Sequence, residues 1–199
     1  QDRFRSPKNP RGFFGPNVNP RTGVEFRGGK GNLFEGGLRI PYLVRWPGKI
    51  NSGQVNDLIF YQPDVLPTLA ELTGAKTPKD IDGISFLPTL LNHGEQKKHE
   101  MLYWEFRSQT AVRKGHWKAI QTKPTRDWEL YDLNKDISEN INIAEKHPNL
   151  LSKMKTFAKK SHTPVVTGKY IDSSRSKHER DRKAKWGTSK PQPKANRKK

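Results

Sequence analysis

Cysteine is absent from the 199 residues, which excludes disulfides and thiolate metal sites and says little about compartment. No run of about 18 apolar residues occurs, so no segment has the makings of a membrane-spanning helix. Hydrophobic residues make up only 31% of the chain. Acidic residues are few as well: 20 Asp and Glu against 38 Lys and Arg leave a net charge of +18. A chain this polar and basic is not one compact domain along its full length, although it is long enough for one or two small cores. No basic, apolar, small-residue leader opens the sequence, but it begins at Gln1 rather than Met, so that absence says nothing about secretion. His93, His99, His116, His147, His162 and His178 are scattered without H-x-x-x-H or H-x-E spacing, and no metal site is expected among them.

What the chain does have is a polar, glycine-rich run over residues 27–50, RGGKGNLFEGGLRIPYLVRWPGKI. Gly28, Gly29 and Gly31 carry no Cβ, so the backbone around Lys30 can take positive φ and let an anionic ligand approach. Lys30 then offers a compact charge with three donors, suited to a tetrahedral oxyanion. Judged on the local residues alone, a solvated loop lysine is the simpler explanation. Glu35 and Arg39, four apart around Gly36 and Gly37, are expected to form a loop-bracing ion pair rather than to act in catalysis. The apolar residues 40–44 are expected to form a buried strand.

Residues 1–26 are too rich in closely spaced prolines for a helix or a central strand and are expected to be irregular. Residues 58–61 read as a short strand. Residues 64–73 read as a helix with Pro63 at its entry, Gly74 as its stop, and Val65, Leu66, Leu69 and Leu72 as a core-facing stripe. Four aromatic and β-branched runs follow, at 101–106, 110–113, 116–121 and 128–131, with Lys114 and Gly115 as a tight turn between the middle two. They predict a four-stranded antiparallel sheet. A helix over 148–160 is expected to cover one face of it, burying Leu150, Leu151, Met154, Phe157 and Ala158. Residues 172–199 hold eleven Lys or Arg against three Asp or Glu, a share of +8 in the total charge, and are expected to be disordered.

The run GGKGNLFEGGLRIPYLVRWPG resembles the lysine-bearing signature of the formylglycine-dependent sulfatases, the arylsulfatase branch of the alkaline phosphatase superfamily. YQPDVLPTLAELTGA, DGISFLPTLL, AVRKGHWKAI and ELYDLNKDISENINIA resemble later blocks of that family's C-terminal half in the same order, so the likeness covers roughly residues 28–162. It implies an α/β, alkaline phosphatase-like fold of which this chain is a C-terminal fragment, starting just after the second calcium-binding segment. Residues 1–98 are then a remnant of the catalytic domain's large mixed sheet with the lysine loop. Residues 99–171 are a small subdomain of antiparallel sheet plus helix, and 172–199 a basic tail.

Carried over by this resemblance, Lys30 matches the family lysine that binds the sulfate group and offsets charge on the ester oxygen. The family's nucleophile is a formylglycine made from the Cys or Ser of a C/S-x-P-x-R motif. Its calcium (Ca2+) is held by aspartates near the N-terminus and by an Asp-Asn or Asp-His pair shortly before the lysine loop. Neither pattern occurs here, so both groups are implied for the family and placed outside this sequence, and the chain alone is expected to hydrolyse nothing. The family also implies export to a periplasm or the exterior. Its segment ahead of the lysine loop lies at the pocket rim, which makes Arg3, Arg5, Arg11 and Arg21 either substrate contacts or solvated loop residues.

The substrate so implied is a sulfate ester on a sugar or an aryl group. Over residues 104–109, Trp104 is the candidate to stack on a sugar ring and Arg107 to pair with a sulfate or carboxylate. A core Trp104 and a solvated Arg107 are the alternative, and relatives often carry a histidine near Arg107, which leaves specificity open. A second function is binding of a polyanion, such as a heparin-like glycan, nucleic acid or an anionic cell surface, through the basic tail by counterion release. The aromatics are not interleaved with the tail lysines and no DNA- or RNA-reading motif appears, so specific nucleic-acid recognition is not expected. A third is a superfamily relative acting on phosphate or phosphonate esters, since a lysine and a tetrahedral anion do not distinguish these.

Overall fold

The computed structural model describes residues 17–19 and 22–164. The expectations for Arg3, Arg5, Arg11 and Arg21 and for the basic tail lie outside the described residues. The chain divides into two units, residues 17–39 with 101–164 and, separately, Ile40–Glu100. The second boundary falls between Glu100 and Met101. The lysine loop, however, groups with the later sheet rather than with residues 40–98 as the sequence suggested, because its apolar residues pack on that sheet.

In the first unit a two-residue ribbon, β1 (Asn17–Val18) paired antiparallel with β2 (Glu25–Phe26), stands where only irregular chain was expected. The lysine loop and a one-turn helix, α1 (Glu35–Leu38), follow. Then come β3 (Leu102–Phe106), β4 (Gln109–Lys114), β5 (Trp117–Gln121) and β6 (Glu129–Asp132), a meander in the order β3-β4-β5-β6. Each strand lies within one or two residues of its predicted place. The turn between β4 and β5 is Gly115 and His116, one residue later than expected. Lys114 pairs with Trp117, and Gly115 takes the left-handed φ of +56° that the tight turn requires.

The period of two along each strand sorts the side chains onto two faces. One face carries Val112, Ala119 and Leu130 and is covered by the helix of Pro148–Ser161, which buries Met154 and Ala158 and packs Leu150, Leu151 and Phe157 at its margin. Pro148 opens that helix at the position where a missing N–H costs nothing. The opposite face carries Ala111, Ile120 and Tyr131 and is covered by Leu33 and Phe34 of the lysine loop, with Leu38 and Trp104 packed alongside.

The unit Ile40–Glu100 is organised around Asp64. A 3-10 turn, Gln62–Asp64, leads into α2 (Val65–Thr73), and α3 (Leu87–Leu91) follows; the helix of Pro148–Ser161 is therefore α4. The buried Asp64 carboxylate accepts from Tyr61 N (3.0 Å) and Ile84 N (2.7 Å) and lies 2.8 Å from His99 Nε2. Tyr61 is pushed up to about 12 by burial and by the nearby Asp82 and Asp64 carboxylates. Tyr42, Phe60 and Phe86 form a ring cluster with centroids 4.6 to 5.6 Å apart.

Three expectations fail in this unit. Residues 40–44 pair with no strand among the described residues, and Ile40 and Leu43 are 72% and 94% exposed. Residues 58–61 likewise form no strand. The α2 stripe of Leu66, Leu69 and Leu72 faces outward, while Pro67, Thr68 and Ala70 make the buried face. The apolar pattern is as read; no described residue covers it. Among the described residues no helix is long and apolar enough to cross a membrane.

Candidate functional site

The loop that carries Lys30 is closed backbone to backbone. Gly36 N donates to Arg27 O at 2.8 Å, joining the two ends of a ten-residue hoop. Inside it, Asn32 N donates to Gly29 O (3.1 Å), and Asn32 Oδ1 accepts from the N–H groups of Gly29 and Phe34, both at 3.3 Å. Gly28 and Gly31 take φ of +78° and +96°, and Gly29 does not need positive φ. A Cβ on Gly36 would lie 2.5 Å from Gly28 O and one on Gly37 2.1 Å from Asn32 O, so these two glycines let α1 rest directly on the hoop it follows.

Three sets of polar contacts fasten the hoop to the sheet. At its entry Arg27 Nη1 donates to Tyr131 Oη (2.7 Å) and Glu139 O (2.8 Å), with the guanidinium 4.0 Å above the Phe34 ring. At its crest the Gln109 side-chain amide donates from Nε2 to Gly31 O and accepts at Oε1 from Leu33 N, both at 3.1 Å. At its exit Glu35 N donates to Glu139 Oε2 at 2.6 Å.

The exit is also where charge is buried. Lys118, fully buried on β5, lies 2.9 Å from Glu35 Oε1 and 2.8 Å from Glu139 Oε1. Arg39 Nε donates to Glu35 Oε2 at 2.7 Å, and Arg113 Nη1 is 3.5 Å from the same oxygen. Burial pushes the Glu35 carboxyl up, but Lys118, Arg39 and Arg113 together outweigh it and hold Glu35 below the usual carboxylate range. For Glu139 burial wins over Lys118 and the Glu35 N–H, and its carboxyl is raised. Burial likewise lowers the Arg113 guanidinium. Tyr131 is raised, first by burial and then by its hydrogen bond to Glu129.

Lys30 is exposed on this fastened turn, and its amine has no ion-pair or hydrogen-bond partner among the described residues. Glu35 and Arg39 face each other at the exit. Trp104 is half-buried against the cluster beneath the hoop. Arg107 is exposed in the β3–β4 turn with φ of +54°, its guanidinium 5.3 Å from the Phe106 ring centroid. A Cβ on Gly31 would stand 4.0 Å from that ring's Cε1, so the Arg107 turn and the Lys30 hoop adjoin.

Sequence reasoning missed Arg27, Asn32, Gln109, Lys118 and Glu139. For Lys118 a signal exists: it sits two residues before Ile120 and so shares a face with it, a charge on the face that the apolar residues mark as buried. No local pattern distinguishes Glu139. Among the described residues no group of three or more His, Cys, Asp or Glu could hold a metal ion. The described residues thus offer no fit for the calcium, and with no cysteine in the sequence none for a cysteine-derived formylglycine.

The family model described as N-sulphoglucosamine sulphohydrolase, C-terminal, matches residues 29–163. Steryl-sulfatase of Rattus norvegicus is 39% identical over 128 residues, covering 57% of this chain and 22% of the relative. N-acetylgalactosamine-6-O-sulfatase of Bacteroides thetaiotaomicron is 31% identical over 145 residues, covering 65% of this chain and 28% of the relative. A solved chain described with the metabolism of multiple glycosaminoglycans by Bacteroides thetaiotaomicron superposes with a TM-score of 0.60 at 31% identity, covering 68% of this chain and 31% of that one. The chain thus spans less than a third of the length of each of these three.

Proposed function

The chain belongs to the N-sulphoglucosamine sulphohydrolase C-terminal family, and from that premise we propose that it supplies the sulfate-binding lysine of a sulfuric ester hydrolase. The observation that carries this reading is the contrast within the hoop. The hoop's other polar side chains, Arg27, Asn32 and Glu35, are committed to holding it together, whereas the Lys30 amine is exposed with no partner among the described residues. A lysine so placed offers a point charge and three donors to a tetrahedral sulfate and meets charge developing on the ester oxygen. Alone the chain is inactive on this reading, because the nucleophile and the calcium ligands that the family resemblance implies are not among its residues.

Sulfated sugars are the favoured substrate, with aryl sulfates behind them. The bacterial relatives are named for amino-sugar sulfate and glycosaminoglycan chemistry. The adjoining Arg107 gives a second cation for a second anionic group of a saccharide, and the half-buried Trp104 gives an aromatic surface for a ring. An arginine at φ +54° occupies a turn position where Gly, Asn or Asp is less strained, which supports a role beyond the turn itself. These relatives are named sulfatases, so the phosphate and phosphonate alternative gains nothing from them. We place the protein, like its family by resemblance, in a periplasm or outside the cell.

Lys30→Ala in the native gene product tests the reading. Sulfate ester hydrolysis should fall about 10²- to 10³-fold in kcat/KM, with thermal unfolding unchanged because the amine is exposed. Full activity in that variant would remove Lys30 from the site.

A further inference from the structure

The backbone on the C-terminal side of Lys30 is only partly held by the hoop itself. Asn32 secures the Gly29 and Phe34 N–H groups, and the Arg27 to Gly36 hydrogen bond secures the base. Two groups near Lys30, the Gly31 carbonyl and the Leu33 N–H, find their partner outside the hoop. Both are met by one side chain, Gln109 on β4, and by no other described residue. Only a primary amide of that length presents a donor and an acceptor at its tip in this order. A glutamate offers two acceptors, and an aliphatic or thioether chain offers neither. Gln109 pairs in register with Phe106 and lies two residues beyond Arg107, so the same hairpin end that carries Arg107 also grips the peptide after Lys30.

We propose that Gln109 is a positioning residue for Lys30: its amide ties the Gly31 carbonyl and the Leu33 N–H to the sheet and so fixes where the Lys30 amine meets a sulfate. This rests on the reading of Lys30 as the sulfate ligand. Gln109 itself touches no substrate in this proposal. The hoop without the clamp still closes at its base, but its crest moves relative to β4, and Lys30 moves with the crest.

Gln109→Met keeps the chain length and removes both hydrogen bonds. The test uses the native gene product, isotope-labelled, with inorganic sulfate as the probe and two readouts. Hydrogen exchange of the Leu33 N–H should become about fivefold faster or more, with the Ala111 and Val112 amides unchanged as the control for folding. The sulfate-induced shift of the Lys30 side-chain resonances should need about fivefold more sulfate. Should Gln109→Met fail to fold, Gln109→Asn, one methylene short and able to reach only one of the two groups, should fall between the native chain and full loss in both readouts. Unchanged Leu33 exchange overturns the clamp. Faster Leu33 exchange with an unchanged sulfate response reduces Gln109 to a structural residue and overturns the positioning role. A native chain whose Lys30 does not respond to sulfate brings down the Lys30 reading, and this proposal with it, while the exchange data still show whether the clamp exists.

Discussion

On one face of the four-stranded sheet, α4 lays Met154 and Ala158 against Val112, Ala119 and Leu130. On the other, a hoop of irregular chain is fixed by the Arg27 contacts, the Gln109 amide and the buried charges of Glu35, Lys118 and Glu139. Apolar contact is strong but has no direction, so it suffices for a helix whose only task is to cover a face. Hydrogen bonds and ion pairs have direction, and the face that presents a side chain uses them even though burying the charges is unfavourable in itself. Position is specified where the proposed chemistry needs it, and cover is supplied where it does not.

The largest blow to this contrast should come from Lys118→Met. It leaves Glu35 and Glu139 buried without their common cation, and a loss of about 3–5 kcal/mol in unfolding free energy is expected near neutral pH. In that variant Glu139 loses Lys118 and stays raised by burial and by Glu35, while Glu35 keeps only Arg39 and Arg113 against its own burial. Raised groups contribute fully below the ordinary carboxyl value of about 4.3, and that contribution is lost as the pH rises through the folded value. The deficit should therefore shrink on acidification. In the native chain the lowered Glu35 acts in the opposite sense: its contribution is present above the ordinary value and lost as the pH falls through its folded one. Denaturant unfolding at several pH values measures both slopes, and a deficit that grows in acid would contradict the assignment.

Met154→Ala is the matching change on the helix face, a cavity under α4 expected to remove about 2–4 kcal/mol. Below its melting temperature, sulfate binding at Lys30 should be unaltered. Lost sulfate binding in the folded variant would mean that the two faces are not independent. The smallest effect belongs to Arg107→Gly, which relieves the left-handed strain and should raise stability by up to about 1 kcal/mol. Affinity of the native gene product for a multiply sulfated saccharide should fall at the same time. A variant both more stable and equally tight in binding would leave Arg107 without the proposed role.

The sheet and α4 were legible in the sequence because the strands are short aromatic and β-branched runs broken by turn residues and α4 carries its apolar residues on one stripe, patterns that need only local neighbours. The glycines of the hoop were legible as glycines, yet not for the reason that makes Gly36 and Gly37 indispensable, which is the closeness of backbone from residues several positions away. Lys118 reads as one more lysine in a chain with 38 Lys and Arg, and only its register with Ile120 betrays it. Gln109 and Glu139 act across 76 and 104 positions of sequence and have no signature at all. In the unit Ile40–Glu100 the apolar residues were read correctly as apolar and wrongly as buried, because periodicity says which residues share a face and not whether anything lies against it.

The joined ends of the hoop have one more consequence. A segment whose two ends meet, Gly36 N on Arg27 O, and which is pinned to the sheet beneath it behaves as a cassette. The exposed residue at its crest, Lys30, can be exchanged while Asn32, Leu33 and Phe34 keep the hoop on the strands underneath. Retuning the charge at the crest, by moving the lysine one position or adding a second cation beside it, is then a local edit, and a family sharing this frame has a simple route to new anion preferences.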